Sequence, residues 1–465
     1  MPFNFTKTLK NMKMGNTSKK LAEKCTILTK DEQKMLAVTF RPVSRNSPRV
    51  REDDLVVSGT LDALLLEKVW GPQIDPRLAQ YLSNFLFGFG PNKSETCDFN
   101  RFAELYVFNV RGNPDERMTA IYNCLGKQFD DSEVEYQLVK EYCESIASTY
   151  IKMLKSNSQG VASQWVQKGF QGKARHVQAL GEAVAAGISD CDPPPATVTS
   201  SHMSKWLSYE TLLRELSQLV FSTLYGTSKQ VAPSCLPAPD GLSAMPDYPA
   251  FIDLSHIVWV NAHLPRPLQH KWRFLFSSHI HGESFSTLAG RIIDQGPSII
   301  IIEDKSGYIF GGYAAQAWNI NPNFYGKEES FLFTLAPKMR VYNSSGFNNH
   351  YQYINNFTKT LPNGIIMGGQ FEFGAIWLPA DPFGEGSSAE SCTTYRGYRR
   401  LSKERDFKIK SLEVWGVGDK PVSLKDDEEG GEGDGSILDK NPEAKAILDL
   451  AGKTRHSDGI REPVD

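Results

Sequence analysis

Five histidines, His256, His263, His270, His279 and His281, fall within 26 residues, and imidazole is both a proton carrier near neutral pH and a common metal ligand. On a strand, His279 and His281 would share one face, the i, i+2 placement that two ligands of one ion can use. No third ligand follows at comparable spacing, and Ser277, Ser278, Gly282 and Ser284 around them have the composition of a turn. The expectation is therefore hydrogen-bonded structural histidines and no metal site. Glu303, Asp304 and Glu413 stand at strand ends, where a carboxylate could pair with a histidine for acid–base work. Cys392-Thr393-Thr394 supplies a nucleophile type but no nucleophile elbow. Gly311-Gly312 and Gly368-Gly369 match neither GxxxxGK[ST] nor GxGxxG, so no nucleotide cofactor, and no other cofactor, is expected. An enzyme of peroxide defence or hydrolysis using His281, Glu413 or Cys392 stands as the alternative to a protein that only binds.

The elements that must position these residues divide the chain. Its 465 residues, 40% hydrophobic and 23% charged with net charge −3, describe folded domains and argue against a general nucleic-acid binder. The longest apolar runs, such as 299–302, are far shorter than a membrane span of about 20 residues. No secretory signal is expected, and seven scattered cysteines without a C-x-x-C pair suit a reducing compartment. Residues 1–28 form a basic arm with Lys7, Lys10, Lys13, Lys19, Lys20 and Lys24. Thr29-Lys30-Asp31-Glu32 reads as a capping box opening a helical domain over 29–154. Within it, Asn113-Pro114 starts a helix whose stripe is Met118, Ile121, Tyr122 and Leu125, with Gly126 as the stop. Val134, Leu138, Tyr142 and Ile146 have the spacing of another helix.

Residues 155–205 read as a linker containing one weak helix, and 206–249 as an apolar helix around Leu212, Leu213, Leu216, Leu219 and Val220 followed by a Pro-rich connector. From 250 to 417 the pattern becomes that of strands. The clearest hairpin is 299–303, the turn Asp304-Lys-Ser-Gly307 and 308–314. The fold class expected is α+β, with an antiparallel β-sandwich and flanking helices after the helical half. Residues 418–436 form an acidic flexible linker carrying Asp426, Asp427, Glu428, Glu429, Glu432 and Asp434. Residues 437–465 hold a short docking helix, whose stripe Ala444, Ile447, Leu448 fits a partner's groove.

The ordered blocks 277–285, Phe310-Gly311-Gly312, Phe324-Tyr325-Gly326, Phe331-Leu332-Phe333, Pro337, Gly368-Gly369, Cys392-Thr393-Thr394 and Glu413-Val414-Trp415 together resemble the TLDc domain. The resemblance covers about 250–417. It implies links to oxidation resistance, to lysosomal TOR signalling and to the vacuolar proton pump, and no accepted catalytic activity. The tail segments Ser436-Ile-Leu-Asp439 and Arg455-His-Ser-Asp-Gly-Ile-Arg461, with Met14-Gly15-Asn16, are similar to the lysosomal TOR-linked branch of that family. That likeness implies a myristoylated Gly15 after initiation at Met14, aided in membrane contact by Lys19, Lys20 and Lys24, since one acyl chain alone binds marginally. The sixth position of that acylation signal is Lys19 instead of Ser or Thr. The expected protein is cytoplasmic and peripheral on the lysosomal membrane, an adaptor for the TOR kinase complex and/or the vacuolar ATPase, with no nucleic-acid partner.

The helical half resembles an EF-hand pair. Placing Phe102 just after a loop puts Gly90, Asn92 and Ser94 at ligand positions one, three and five, and Arg101 where the bidentate glutamate belongs. A cation there repels calcium, so the expectation is an EF-hand-like scaffold without tight calcium binding at that loop.

Overall fold

In the computed structural model the described residues are 28–45, 59–127, 133–157, 160–189, 191–227, 235–242 and 250–421. Gly15, Lys19, Lys20, Lys24, the acidic linker and the stripe Ala444/Ile447/Leu448 lie outside them. The chain is α+β and divides into two compact units, 1–236 with 252–262, and 237–251 with 263–465.

The first unit is helical. Its elements are α1 (Lys30–Phe40), β1 (Ser44–Arg45), β2 (Thr60–Asp62), α2 (Ala63–Trp70), α3 (Pro76–Phe87), β3 (Thr96–Asp98), α4 (Phe99–Val110), α5 (Pro114–Cys124), β4 (Glu133–Glu135), α6 (Tyr136–Ser156), α7 (Val161–Gln167), α8 (Ala174–Ala186), β5 (Thr197–Thr199), α9 (Ser200–Tyr209) and α10 (Thr211–Leu224). The expected capping box forms at Thr29, and the N-cap expected at Asn113 turns out to be a second box. The Thr29 hydroxyl accepts from Glu32 N while the Glu32 carboxylate accepts from Thr29 N, and Asn113 and Glu116 do the same for α5. The short strands form a three-stranded sheet β1-β2-β3, with Leu61 opposite Cys97, and a pair β4-β5, with Val134 opposite Val198, and β2, β3, β4 and β5 each run straight into a helix. Val134 therefore belongs to a strand, and the helix expected from its spacing begins at Tyr136.

The expected linker at 155–205 is folded core. It contains α7, α8 and most of α9, with Trp165, Phe170 and Leu180 fully buried and the Trp165 and Phe170 rings 4.9 Å apart, edge to face. Its small residues look weak as an isolated helix, but they permit close approach. A Cβ added at Gly181 would lie 2.4 Å from the Glu144 Cα, so α8 lies directly against α6. The boundary expected at 250 also moves, because α11 (Leu254–His263) packs almost wholly with the helical unit.

The second unit carries β6 (Ala238–Asp240), β7 (Lys271–Ser277), α12 (Ser278–His281), α13 (Phe285–Ile292), β8 (Ser298–Asp304), β9 (Ile309–Ala314), β10 (Phe331–Ala336), β11 (Arg340–Asn343), β12 (Tyr353–Asn355), β13 (Gly364–Met367), β14 (Ile376–Pro379), β15 (Glu385–Ser387) and β16 (Asp406–Val417). One leaf runs β11-β10-β9-β8-β16 with β7 and β6 beyond, the other β16-β15-β14-β13-β12. β16 serves both. Residues 406–408 pair with β15, and its C-terminal part lies between β8 and β7. Ile300, Phe310 and Leu332 from the first leaf meet Ile365, Met367 and Ile376 from the second in one core. The near-continuous apolar run of β8 follows from this burial on both sides. Its turn closes as expected, with Gly307 at φ +82° and Tyr308 N donating to Asp304 Oδ1 at 2.9 Å.

Candidate functional site

The five clustered histidines do not converge. His270 Nδ1 donates to the Pro267 carbonyl at 3.0 Å, and its Nε2 lies 3.3 Å from Asp419. His279 Nε2 meets Ser411 Oγ at 2.8 Å, and His281 Nδ1 accepts from Ser277 N at 3.1 Å. His263 lies with its ring 6.3 Å from that of Phe331. His256 is buried in the other unit. Ser411 also approaches Glu303 Oε2 at 3.5 Å. The acid thus sits on the hydroxyl and not behind the imidazole, the reverse of the order that activates a serine. Glu413 is 1% exposed and accepts from Trp415 Nε1 at 2.9 Å. Cys392 belongs to the loops of the second leaf, beside Gly368. His281 and Glu413 are thus part of the β7–β16 scaffold, and Cys392 is part of another structure.

His256 does join a cluster that spacing did not reveal, because its other members are far away in sequence. His176, at the start of α8, donates from Nδ1 to Asp253 Oδ2 at 2.6 Å, and the His176 and His256 rings lie 4.3 Å apart. Among the described residues these three form the one group whose donor atoms could surround a metal ion. Their hydrogen bonds describe a clasp instead. Asp253 Oδ2 also accepts from Lys173 N, and Oδ1 accepts from Ser255 N at 3.0 Å, so one carboxylate caps two helix N-termini, those of α8 and α11. Arg175 Nε donates to His176 Nε2 at 3.0 Å, and Asp253 N donates to His256 Nδ1 at 3.2 Å. The Lys173 and Arg175 charges beside the rings oppose a further cation. Burial works to raise the Asp253 pKa, but the His176 hydrogen bond, both imidazoles and Lys173 N outweigh it and hold it below the usual carboxylate value. Burial pushes His256 down to about 4, and Asp253 only partly opposes this.

The blocks that carried the family resemblance have a visible structural output. Gly311 is obligatory in β9, since a Cβ there would lie 1.9 Å from the Ile300 carbonyl oxygen. Gly369, at φ +80°, belongs to the β13–β14 loop, and its amide donates to Thr394 Oγ1 at 2.9 Å. Thr394 Oγ1 donates in turn to Asn348 Oδ1 at 2.9 Å, and Asn348 Nδ2 donates to Thr393 Oγ1 at 3.1 Å. His350 Nδ1 donates to the Gly369 carbonyl at 2.7 Å while its ring stacks on Phe324 at 4.6 Å. Ser345 N donates to the Thr394 carbonyl at 2.9 Å. Three loops, 344–350, 368–374 and 392–396, are thereby locked together, which is the condition for a surface that binds without ordering itself first. Two of them carry Phe347, 77% exposed, and Phe373, 53% exposed. Sequence reasoning missed Asn348, His350, Phe347 and Phe373. Gly346 and the Asn348-Asn349 pair read only as a turn, and no local pattern marks an outward phenylalanine.

The TLDc domain profile matches residues 246–418. MTOR-associated protein MEAK7 of Gallus gallus is 32% identical over 373 residues, 77% of each chain. The protein of the same name from Homo sapiens is 29% identical over 476 residues, covering 97% of this chain and 100% of its own. Nuclear receptor coactivator 7 of Mus musculus is 34% identical over 178 residues, 38% of this chain and 18% of its own. The first two alignments extend well beyond the TLDc segment, whereas the third has about its length.

Proposed function

Because the chain belongs to the family of MTOR-associated protein MEAK7, whose members it matches over most of its length with a TLDc domain in its C-terminal half, we propose that it is a non-enzymatic, TOR-associated adaptor. The observation that carries this reading is the locked three-loop platform. The family's Gly368-Gly369 and Cys392-Thr393-Thr394 blocks converge on hydrogen bonds that hold exposed Phe347 and Phe373 in place. Rigid exposed aromatics serve recognition. In this reading the TLDc unit and the stripe Ala444/Ile447/Leu448 engage the TOR kinase complex and the vacuolar proton-pumping ATPase. A myristoylated Gly15, reinforced by Lys19, Lys20 and Lys24, keeps the protein on the lysosomal membrane.

The helical unit supports the EF-hand-like part of the proposal. With Gly90 at loop position one, β3 covers positions seven to nine, where a paired EF-hand loop forms its strand. The same alignment on β2, β4 and β5 puts Leu65, Leu138 and His202 at position twelve, where Arg101 stands in the loop before α4. No carboxylate occupies any of these positions. Arg101 turns its Nε to the Phe85 carbonyl at 2.9 Å and stacks over the Phe85 ring at 3.9 Å. The loops then act as helix connectors and not as calcium sensors.

The test is affinity purification of the full-length chain from cells, probed for TOR kinase and vacuolar ATPase subunits. The reading expects both, and expects loss in Phe347→Ser/Phe373→Ser and in Ile447→Asp/Leu448→Asp at unchanged thermal stability. Undiminished capture by both variants, or peroxide or ester turnover by the pure protein that His281→Ala removes without unfolding it, would overturn the proposal. A mature N-terminus found only at Met1 or Pro2 would remove the acyl anchor.

A further inference from the structure

The loop joining β15 to β16 is the most basic stretch of the second unit. Residues 395–410 hold Arg396, Arg399, Arg400, Lys403, Arg405, Lys408 and Lys410 against only Glu404 and Asp406. The loop is fixed from beneath. Tyr395, Leu401 and Ser402 are buried, Ser402 Oγ donates to Asp304 Oδ2 at 2.5 Å, and Leu401 N donates to Ser388 Oγ at 3.1 Å. The Tyr398 hydroxyl donates to the Ala389 carbonyl at 2.9 Å. Between these anchors the basic side chains face outward, with Arg396, Arg399, Lys403, Arg405 and Lys408 exposed. The neighbouring carboxylates are Glu390, which takes Arg400 at 2.5 Å, Glu303, which takes Lys410 at 2.9 Å, and Glu385, which stands opposite Lys408 on β15, so the basic side chains outnumber them. A fixed row of like charges raises its own electrostatic energy and draws a ligand of opposite sign.

We infer that this face binds an acidic polypeptide segment, and that its occupant within the chain is the stretch 426–434. That stretch carries Asp426, Asp427, Glu428, Glu429, Glu432 and Asp434 and no basic residue. The chain leaves β16 at a fixed point. Arg273 Nε donates to the Gly418 carbonyl at 3.0 Å, and Lys271 pairs with Asp419 at 2.8 Å. Lys408 lies about 30 Å back along β16 from Val417 at ~3.3 Å per residue. From Pro421, the eleven residues to Glu432 span up to about 37 Å and those to Asp434 somewhat more, so Glu432 and Asp434 can reach the level of Lys408. The bound tail screens the arginine face until an acidic partner competes for it.

Zero-length carbodiimide coupling of the full-length chain tests this, because it forms amide bonds only between lysine amines and carboxylates in contact. The contacts Lys410–Glu303 and Lys271–Asp419 serve as internal standards. The expected result is coupling of Lys403 or Lys408 to the 426–434 carboxylates, reduced at least fivefold in 0.5 M salt. Standards without the tail coupling would refute the inference. In a mixture of isotopically heavy and light protein the couplings should be heavy–heavy and light–light; mixed pairs would place the tail on a second copy and overturn the assignment in cis. Changing the six acids to Asn or Gln should free the face. A synthetic 424–436 peptide should then bind this full-length variant at least tenfold more tightly than wild type, and R396E/K403E/R405E should abolish that binding. Equal peptide affinity for both chains refutes the inference, as does a freed face that takes phosphatidylserine vesicles and not the peptide.

Discussion

Protonating His256 should loosen the helical unit, and the size of the effect follows from its surroundings. Its ring is fully buried, its Nδ1 is already an acceptor from Asp253 N, and its Nε2 has no hydrogen-bond partner. Lys173 and Arg175 face it and disfavour a charge, while Asp253 favours one. With a folded pKa of about 4 against an ordinary 6.5, the unfolded chain binds the proton first as pH falls between those values. The stability that neutral His256 provides is therefore complete above about pH 6.5 and disappears by about pH 4. The full loss is about 3 kcal/mol at 1.36 kcal/mol per pKa unit, of which about 2 kcal/mol is gone by pH 5. Asp253, held below its ordinary 3.8, adds a further loss only below that value, when it too protonates and releases both helix N-termini. Urea unfolding of the full-length chain at pH 7 and pH 5, followed by hydrogen exchange in peptides from α8 and α11, measures the difference. His256→Asn keeps an acceptor for Asp253 N and cannot titrate, so its stability should fall by about 2 kcal/mol less over that interval. Equal losses in the two proteins, or an NMR titration placing His256 near 6.5, would refute the reasoning.

Gly311→Ala must move the Ile300 carbonyl or part the β8–β9 ladder, a cost of about 3 kcal/mol or more, visible as a lower thermal midpoint for the TLDc unit. Trp165→Ala, in the stretch whose sequence suggests a linker, should cost about 3–5 kcal/mol in urea unfolding; an effect below about 1 kcal/mol would mean that this segment is not core. Asn348→Ala leaves Thr394 Oγ1 without its acceptor and should cost about 1–3 kcal/mol, with faster hydrogen exchange confined to the loops 344–350, 368–374 and 392–396. Titration calorimetry should detect no micromolar calcium binding to the full-length chain, and a measured micromolar site would contradict the reading of Arg101 and its counterparts at position twelve.

Much of the fold is legible where a local signal and its consequence lie close together. The Thr29 capping box, the Asn113 N-cap and the Asp304–Gly307 hairpin are local, and the structure forms each of them. The signal fails where packing partners decide. Residues 155–205 lack a strong apolar stripe, yet Gly181 and its small neighbours let α8 lie on α6, and Trp165 is fully buried against Phe170. α11 has the sequence position of a TLDc element, but the Asp253 carboxylate ties its start to His176 at the start of α8, 77 residues earlier in the chain.

By itself, then, the sequence determined the α+β class, the order of helical half and TLDc half, and the family, because capping, hairpin turns and the ordered TLDc blocks are properties of neighbouring residues. It also determined the opposed charges of 395–410 and 426–434. Only the tertiary structure decided which side chains meet. His256 joins His176 and Asp253 instead of His279 and His281, and Thr393 and Thr394 beside Cys392 lock a loop platform. Hydrogen-bond geometry and burial act at a few ångströms between residues tens of positions apart, and residue spacing along the chain carries no record of that distance.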